Sequence, residues 1–169
     1  MDFARDAFWG NDYDRNPKLT PASVAAAERF LGVTLPLEYV NLLKVQNGGY
    51  TLGFVFPTAV RTAWAVDHVA LDDMSGIGAM EDLPSGLHNI LNTEYMTREW
   101  DLPPNQVLLT GDGHWWITLD YRTGEQPSVS WIDVDQDEDL ILAPSFSAFL
   151  KGLLPKSVLD ENDRIRPQG

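Results

Sequence analysis

Between Thr20 and Gly49 the apolar residues of this chain recur at three- and four-residue spacing, and beyond Gly53 they alternate or fall in short runs. That switch of period constrains the fold strongly: a 3.6-residue repeat buries one stripe of a helix, and a two-residue repeat one face of a strand. The punctuation agrees with it. Thr20 is placed as an N-cap with Pro21 at the first helical position. Val24, Ala27 and Leu31 then share a stripe, and Gly32 supplies a left-handed stop. Leu35-Pro36 opens a second helix with its stripe on Tyr39, Val40, Leu42 and Leu43, closed by Asn47-Gly48-Gly49. The spacing predicts two short antiparallel helices.

Ahead of them, Phe8, Trp9 and Tyr13 (with Phe3) give the lead-in enough aromatic surface to dock on a domain. After them, strands are expected over 53–57 and 65–71, with a Gly/Asp loop over 72–78. A helix is expected over about 86–100, then strands over 106–110, 114–121 and 128–135. Gly111-Asp112-Gly113 reads as a tight turn. The acidic run from Asp133 to Asp139 reads as a loop leading into Leu140-Ile141-Leu142. A last helix follows Pro144, capped by Ser145 or Ser147, with Phe146, Phe149, Leu150 and Leu153 on one face.

This order predicts an α+β fold: an antiparallel sheet flanked by helices, with an N-terminal helix pair and a C-terminal helix. One domain is expected over 1–155, with a polar tail over 156–169. In the strand from His114, the set Trp115, Ile117, Leu119 and Tyr121 makes the better core face. His114, Trp116, Thr118 and Asp120 are left for a groove or solvent.

Charge bears on partners. Twelve basic against 25 acidic residues give a net charge of −13, and residues 51–169 carry 19 of the acids with seven bases. Such a field repels nucleic acid and anionic lipid and favours encounter with a basic protein. With no cysteine, disulfides, thiolate metal sites and thiol catalysis are excluded. No apolar run has transmembrane length and no signal peptide is visible, so a cytoplasmic location is expected.

Motifs for catalysis are missing. No Ser, His and acid set stands in a nucleophile motif, and no phosphate-binding glycine pattern occurs. Gly76-Ile77-Gly78 is a lone glycine pair. Asp112, His114 and Asp120 form the one Asp/His set that merits testing as a metal or acid–base site, but the Gly-Asp-Gly turn accounts for Asp112 without it. Asp133, Asp135 and Asp137 have the spacing that opens a calcium loop. Glu138 and Pro144 stand where an EF-hand needs glycine and a bidentate glutamate, so that motif is excluded. Neither a cofactor nor a metal is expected.

The same residues resemble the SUKH superfamily in its Smi/Knr-type branch. The likeness runs through Phe8-Trp9, Glu28-Arg-Phe-Leu-Gly32, Leu35-Pro36-Leu-Glu-Tyr39 and Gln46-Asn47-Gly48-Gly49. It continues in Gly76-Ile77-Gly78, Glu99-Trp100-Asp101-Leu102-Pro103 and Gly111-Asp112-Gly113-His114-Trp115-Trp116-Ile117. Leu119-Asp120-Tyr121-Arg122, Pro127-Ser-Val129 and Ala143-Pro-Ser-Phe146-Ser-Ala-Phe149-Leu150 complete it, so it covers about residues 8–154. The resemblance implies a sheet with flanking helices and a binding groove. It also implies the work of bacterial immunity proteins, which neutralise toxins that are often nucleases, or of eukaryotic regulators of cell-wall assembly. We therefore expect a non-catalytic, bacterial protein-binding domain with a basic toxin as partner; the alternative is an intracellular adaptor for a cellular protein. Expected partner contacts are Asp112, His114, Trp116 and Asp120, with the loop acids Asp133, Asp135, Asp137, Glu138 and Asp139 exposed because so dense a run resists burial.

Overall fold

The computed structural model describes residues 7–13, 15–84 and 88–159. Helix α1 spans Pro21–Leu31. Thr20 caps it, accepting from the Ser23 backbone N–H, and left-handed Gly32 ends it. Helix α2 spans Leu37–Val45 and buries Tyr39, Val40, Leu42 and Leu43. The exit at Asn47-Gly48-Gly49 needs its glycines: Gly48 has φ +89°, and a Cβ there would run into the backbone of Gly76. Asn47 fastens that crossing, donating to the carbonyls of Pro17 and Ile77 and accepting from the Ile77 N–H. The Gly76-Ile77-Gly78 segment is therefore accounted for as backbone stitched to two asparagines, Asn47 and Asn89.

The fold is α+β, as expected, but its strands form two antiparallel sheets and not one. Strands β1 (Gly49–Pro57), β2 (His68–Met74) and the short β7 (Leu154–Pro155) are ordered β2-β1-β7. Strands β3 (Gln106–Gly111), β4 (Trp115–Asp120), β5 (Ser128–Asp133) and β6 (Glu138–Ala143) follow in sequence order. A register shift between Leu108 and Thr110 accompanies the link between the sheets, where the Ser75 N–H donates to the Leu109 carbonyl at 2.7 Å. The lead-in docks along β1 through Phe8 and Trp9: Leu52 donates to the Phe8 carbonyl, Gly10 to that of Tyr50, and the Trp9 indole to that of Leu42, while Tyr13 is exposed and Phe3 lies outside the described residues.

Several elements differ from the sequence reading: β1 begins at Gly49, four residues earlier than expected, and β7 was not expected. Strand β2 spans His68–Met74, three residues later at each end than expected, because its pairing with β1 carries Asp73 opposite Tyr50 although Asp72 and Asp73 break the apolar pattern. Helix α3 begins only at Thr93 and ends at Trp100; Ile90–Asn92 is a 3-10 turn capped by Asn89, and 85–87 lie outside the described residues. The acidic run is not one loop. Asp133 ends β5, a four-residue turn follows, and Glu138 and Asp139 open β6. Helix α4 (Phe146–Gly152) is capped by Ser145 and buries Phe146 and Phe149. Residues 160–169 of the expected tail lie outside the described residues.

The main core gathers α1, α2, α4, the three-stranded sheet and the inner face of the four-stranded sheet, with Ile117, Leu119, Val129 and Trp131 among its members. The outer face of that sheet is not open as expected. At one end Trp116 packs with Leu102, Leu108 and Met96 beneath α3. At the other, Thr118 and Ser130 are fully buried in a polar network centred on Asp120.

Candidate functional site

The β5–β6 turn is built by Asp133. Its Oδ1 accepts from the backbone N–H groups of Asp135 and Gln136, and the His114 carbonyl accepts from Val134. Asp133 is 2% exposed, so the expectation that this acid is exposed is corrected. It is buried because these donors replace its water. His114 Nδ1 lies 3.1 Å from Asp133 Oδ1 and 3.9 Å from Asp135. The imidazole pKa is raised above its ordinary value, first by the hydrogen bond to Asp133 against some desolvation, then by the charges of Asp133, Asp135 and Asp112.

Two further acids of the run are held by neighbours. Glu138 accepts the Trp131 indole N–H at 2.8 Å and the Ala63 backbone N–H at 2.7 Å, which ties the β1–β2 connection to the sheet. Asp139 accepts from Nη1 and Nη2 of Arg122, while Nε and the same Nη2 donate to Asp120. Asp135, Asp137 and Asp139 are exposed as expected, whereas Glu138 is only partly exposed because its carboxylate is taken up by the Trp131 and Ala63 donors.

Asp120 is 4% exposed and belongs to structure. Gln106, Ser130 and the backbone and guanidinium of Arg122 all donate to it. Placing it on a groove is corrected for the same reason as Asp133: donors surround it. Trp116 is 8% exposed, its indole N–H donating to the Gly113 carbonyl, so its ring is not offered to solvent. Asp112, His114 and Asp120 do not converge. Asp112 is exposed on the β3–β4 turn, while Asp120 stands six residues beyond His114, about 20 Å along a strand. Among the described residues, no group of three or more His, Asp or Glu is arranged to hold a metal ion.

What the fold does bring together is a hollow of about 490 Å³ at the end of the four-stranded sheet. Six acids, Asp101, Asp133, Asp135, Asp137, Glu138 and Asp139, are among its lining residues, with Trp100 at one wall. Trp100 is 43% exposed and its ring packs over Gly113. Trp100 and Asp101 were missed as site residues. Their signal was an aromatic at a helix end followed by an acid: Asp101 takes the left-handed conformation (φ 53°) that stops α3 and returns the chain toward β3.

Residues 18–152 match the sequence model of a family described as the SMI1 / KNR4 family (SUKH-1). No curated protein matches the chain. No helix among the described residues is long and apolar enough to cross a membrane.

Proposed function

The chain belongs to the SMI1/KNR4 family (SUKH-1), and on that premise we propose that it is a non-catalytic bacterial immunity protein that binds and neutralises a basic toxin domain, with the acidic hollow beside Trp100 as the binding site. The observation that carries this reading is the division of labour among the six carboxylates. Asp133, Glu138 and Asp139 are engaged by His114, Trp131 and Arg122. Asp139 keeps an exposed edge, and Asp101, Asp135 and Asp137 stay exposed on the same rim, next to a half-exposed tryptophan. Exposed like charges raise the rate of encounter with a cationic partner, and an indole at the centre of a contact supplies desolvated area that slows its release. The dispersal of Asp112, His114 and Asp120 supports a binding role over catalysis, since an acid–base set must share one reacting atom.

The test titrates the purified chain with a basic nuclease toxin domain taken from a gene adjacent to its own; a neighbourhood holding no such gene would favour an adaptor for a cellular protein. Asp101→Asn, Asp135→Asn and Asp137→Asn combined should slow association about tenfold at low salt and flatten its salt dependence, leaving dissociation nearly unchanged. Association indifferent to salt and to these acids would remove the hollow as the site. Metal-dependent turnover lost on Asp112→Ala or His114→Ala would replace binding with catalysis.

A further inference from the structure

The geometry points to a second contact element for the same partner: the β1–β2 connection, residues 58–66, is an ordered apolar finger that inserts into an apolar pocket on the bound protein, beside the basic residues that face Asp135 and Asp137. This inference rests on the reading above and extends it to a segment outside the hollow.

In a chain of net charge −13, the nine residues from Thr58 to Val66 contain no acid and one base, Arg61. They are also unusually apolar for a surface loop. Val60 and Val66 are more than half exposed, and Trp64 is 44% exposed. A free loop with these side chains would pay heavily in entropy to be ordered by a partner. This one is already ordered. Thr58 donates to the Asp67 carbonyl and closes the loop's base, and Thr62 forms a turn with Ala65. The Ala63 N–H is held by Glu138. Behind it Trp64 stands 5.2 Å from Trp115, which stacks at 5.2 Å on the buried Trp131. Glu138 also binds the Trp131 indole, so one carboxylate fixes both the finger and the stack beneath it. Tryptophan fixed in this manner presents a large apolar area at little further cost.

Charge selects the occupant. Glu138 is also part of the acidic hollow's lining, so the finger and the exposed acids Asp135 and Asp137 flank one short stretch of chain. A second copy of this chain would bring its own acids against these, and an anionic membrane would be repelled by them. A basic protein with an apolar recess meets both halves.

The probe is again a basic nuclease toxin domain taken from an adjacent gene, titrated against the full-length protein. Trp64→Ala should weaken binding at least tenfold, mainly through faster dissociation. Because that change also removes part of the tryptophan stack, Val60→Ser/Val66→Ser serves as the second variant: it deletes only exposed groups and should weaken binding severalfold with an unchanged thermal midpoint. Leu37→Ser, equally exposed on α2, should bind as the parent does. Parental affinity in both finger variants, with the parent binding well, would overturn this inference and leave the hollow standing. A parent that binds no such domain would overturn both. Trp64-dependent binding to anionic vesicles, or a dimer dissolved by Val60→Ser/Val66→Ser, would overturn the assignment of the finger to a basic protein.

Discussion

Asp120→Asn separates an anchor from a contact. Burial by itself would raise this carboxyl, but the hydrogen bonds from Arg122, Ser130 and Gln106 overcome it and hold the pKa at about 2, against an ordinary value of 3.8. A pKa depressed on folding means that the ionised form stabilises the native state. That contribution is complete above about pH 4 and is lost as the pH falls through about 2. A shift of this size corresponds to about 2 kcal/mol. Asparagine keeps the shape but turns an N–H₂ toward donors, the arrangement that makes breaking a buried pair cost about 3–5 kcal/mol. Arg122 is about a third exposed and keeps Asp139, which offsets part of the loss. We expect a destabilisation of about 2–3 kcal/mol at pH 7, a fall in Tm of roughly 5–10 °C for a domain of this size. Urea denaturation at pH 7 and pH 3 measures it, and the gap between variant and parent should narrow at the lower pH. Equal stability at pH 7, or a gap indifferent to pH, would refute the network as described. Toxin affinity, measured where the variant is folded, should be unchanged.

Gly48→Val should cost more than about 2 kcal/mol in urea unfolding, because a Cβ there would lie 2.6 Å from the Gly76 nitrogen at φ +89°. Leu43→Ala, at a side chain 1% exposed in the main core, should cost about 2–5 kcal/mol by the same assay. His114 should titrate above 6.5 in an NMR pH series, and Asp133→Asn should lower that value. Since the folded pKa is raised, the stability contributed by His114 is complete below about pH 6.5 and is lost as the pH rises through the folded value. The Tm difference between parent and His114→Gln should therefore shrink in alkaline buffer.

The parts of the fold that were legible in the sequence are those determined locally. Thr20 and Gly32 bound α1 through contacts within one turn of the helix, and Ser145 does the same for α4. The inner face of β4 was legible too, because Ile117 and Leu119 alternate with polar residues and have only one comfortable environment. Its outer face was not. Thr118 and Asp120 look like solvent-facing residues, yet they are buried with Gln106 and Ser130 from the strands on either side. Polar side chains go inside when they satisfy one another, and the partners that permit it lie 10 to 14 residues away. Strand β2 was misplaced for a related reason: Asp72 and Asp73 are kept in the strand by β1, and Lys156 from beyond α4 holds Asp72.

The acidic run shows how far composition alone carries a site. Five acids in seven positions imply exposure if each is considered a lone charge in search of water. Folding gives three of them other work. Asp133 replaces water with the N–H groups of its own turn, Glu138 bridges Trp131 and the Ala63 backbone, and Asp139 completes the grip on Arg122. Each would cost stability if neutralised, so loss of binding in such a variant would not identify a contact. Asp135 and Asp137 carry no comparable load, and Asp101 joins them from the end of α3. The surface offered to a cation is thus set by which carboxylates the fold leaves over. That selection depends on Trp131, Arg122 and His114, three residues whose role no count of charges could have exposed.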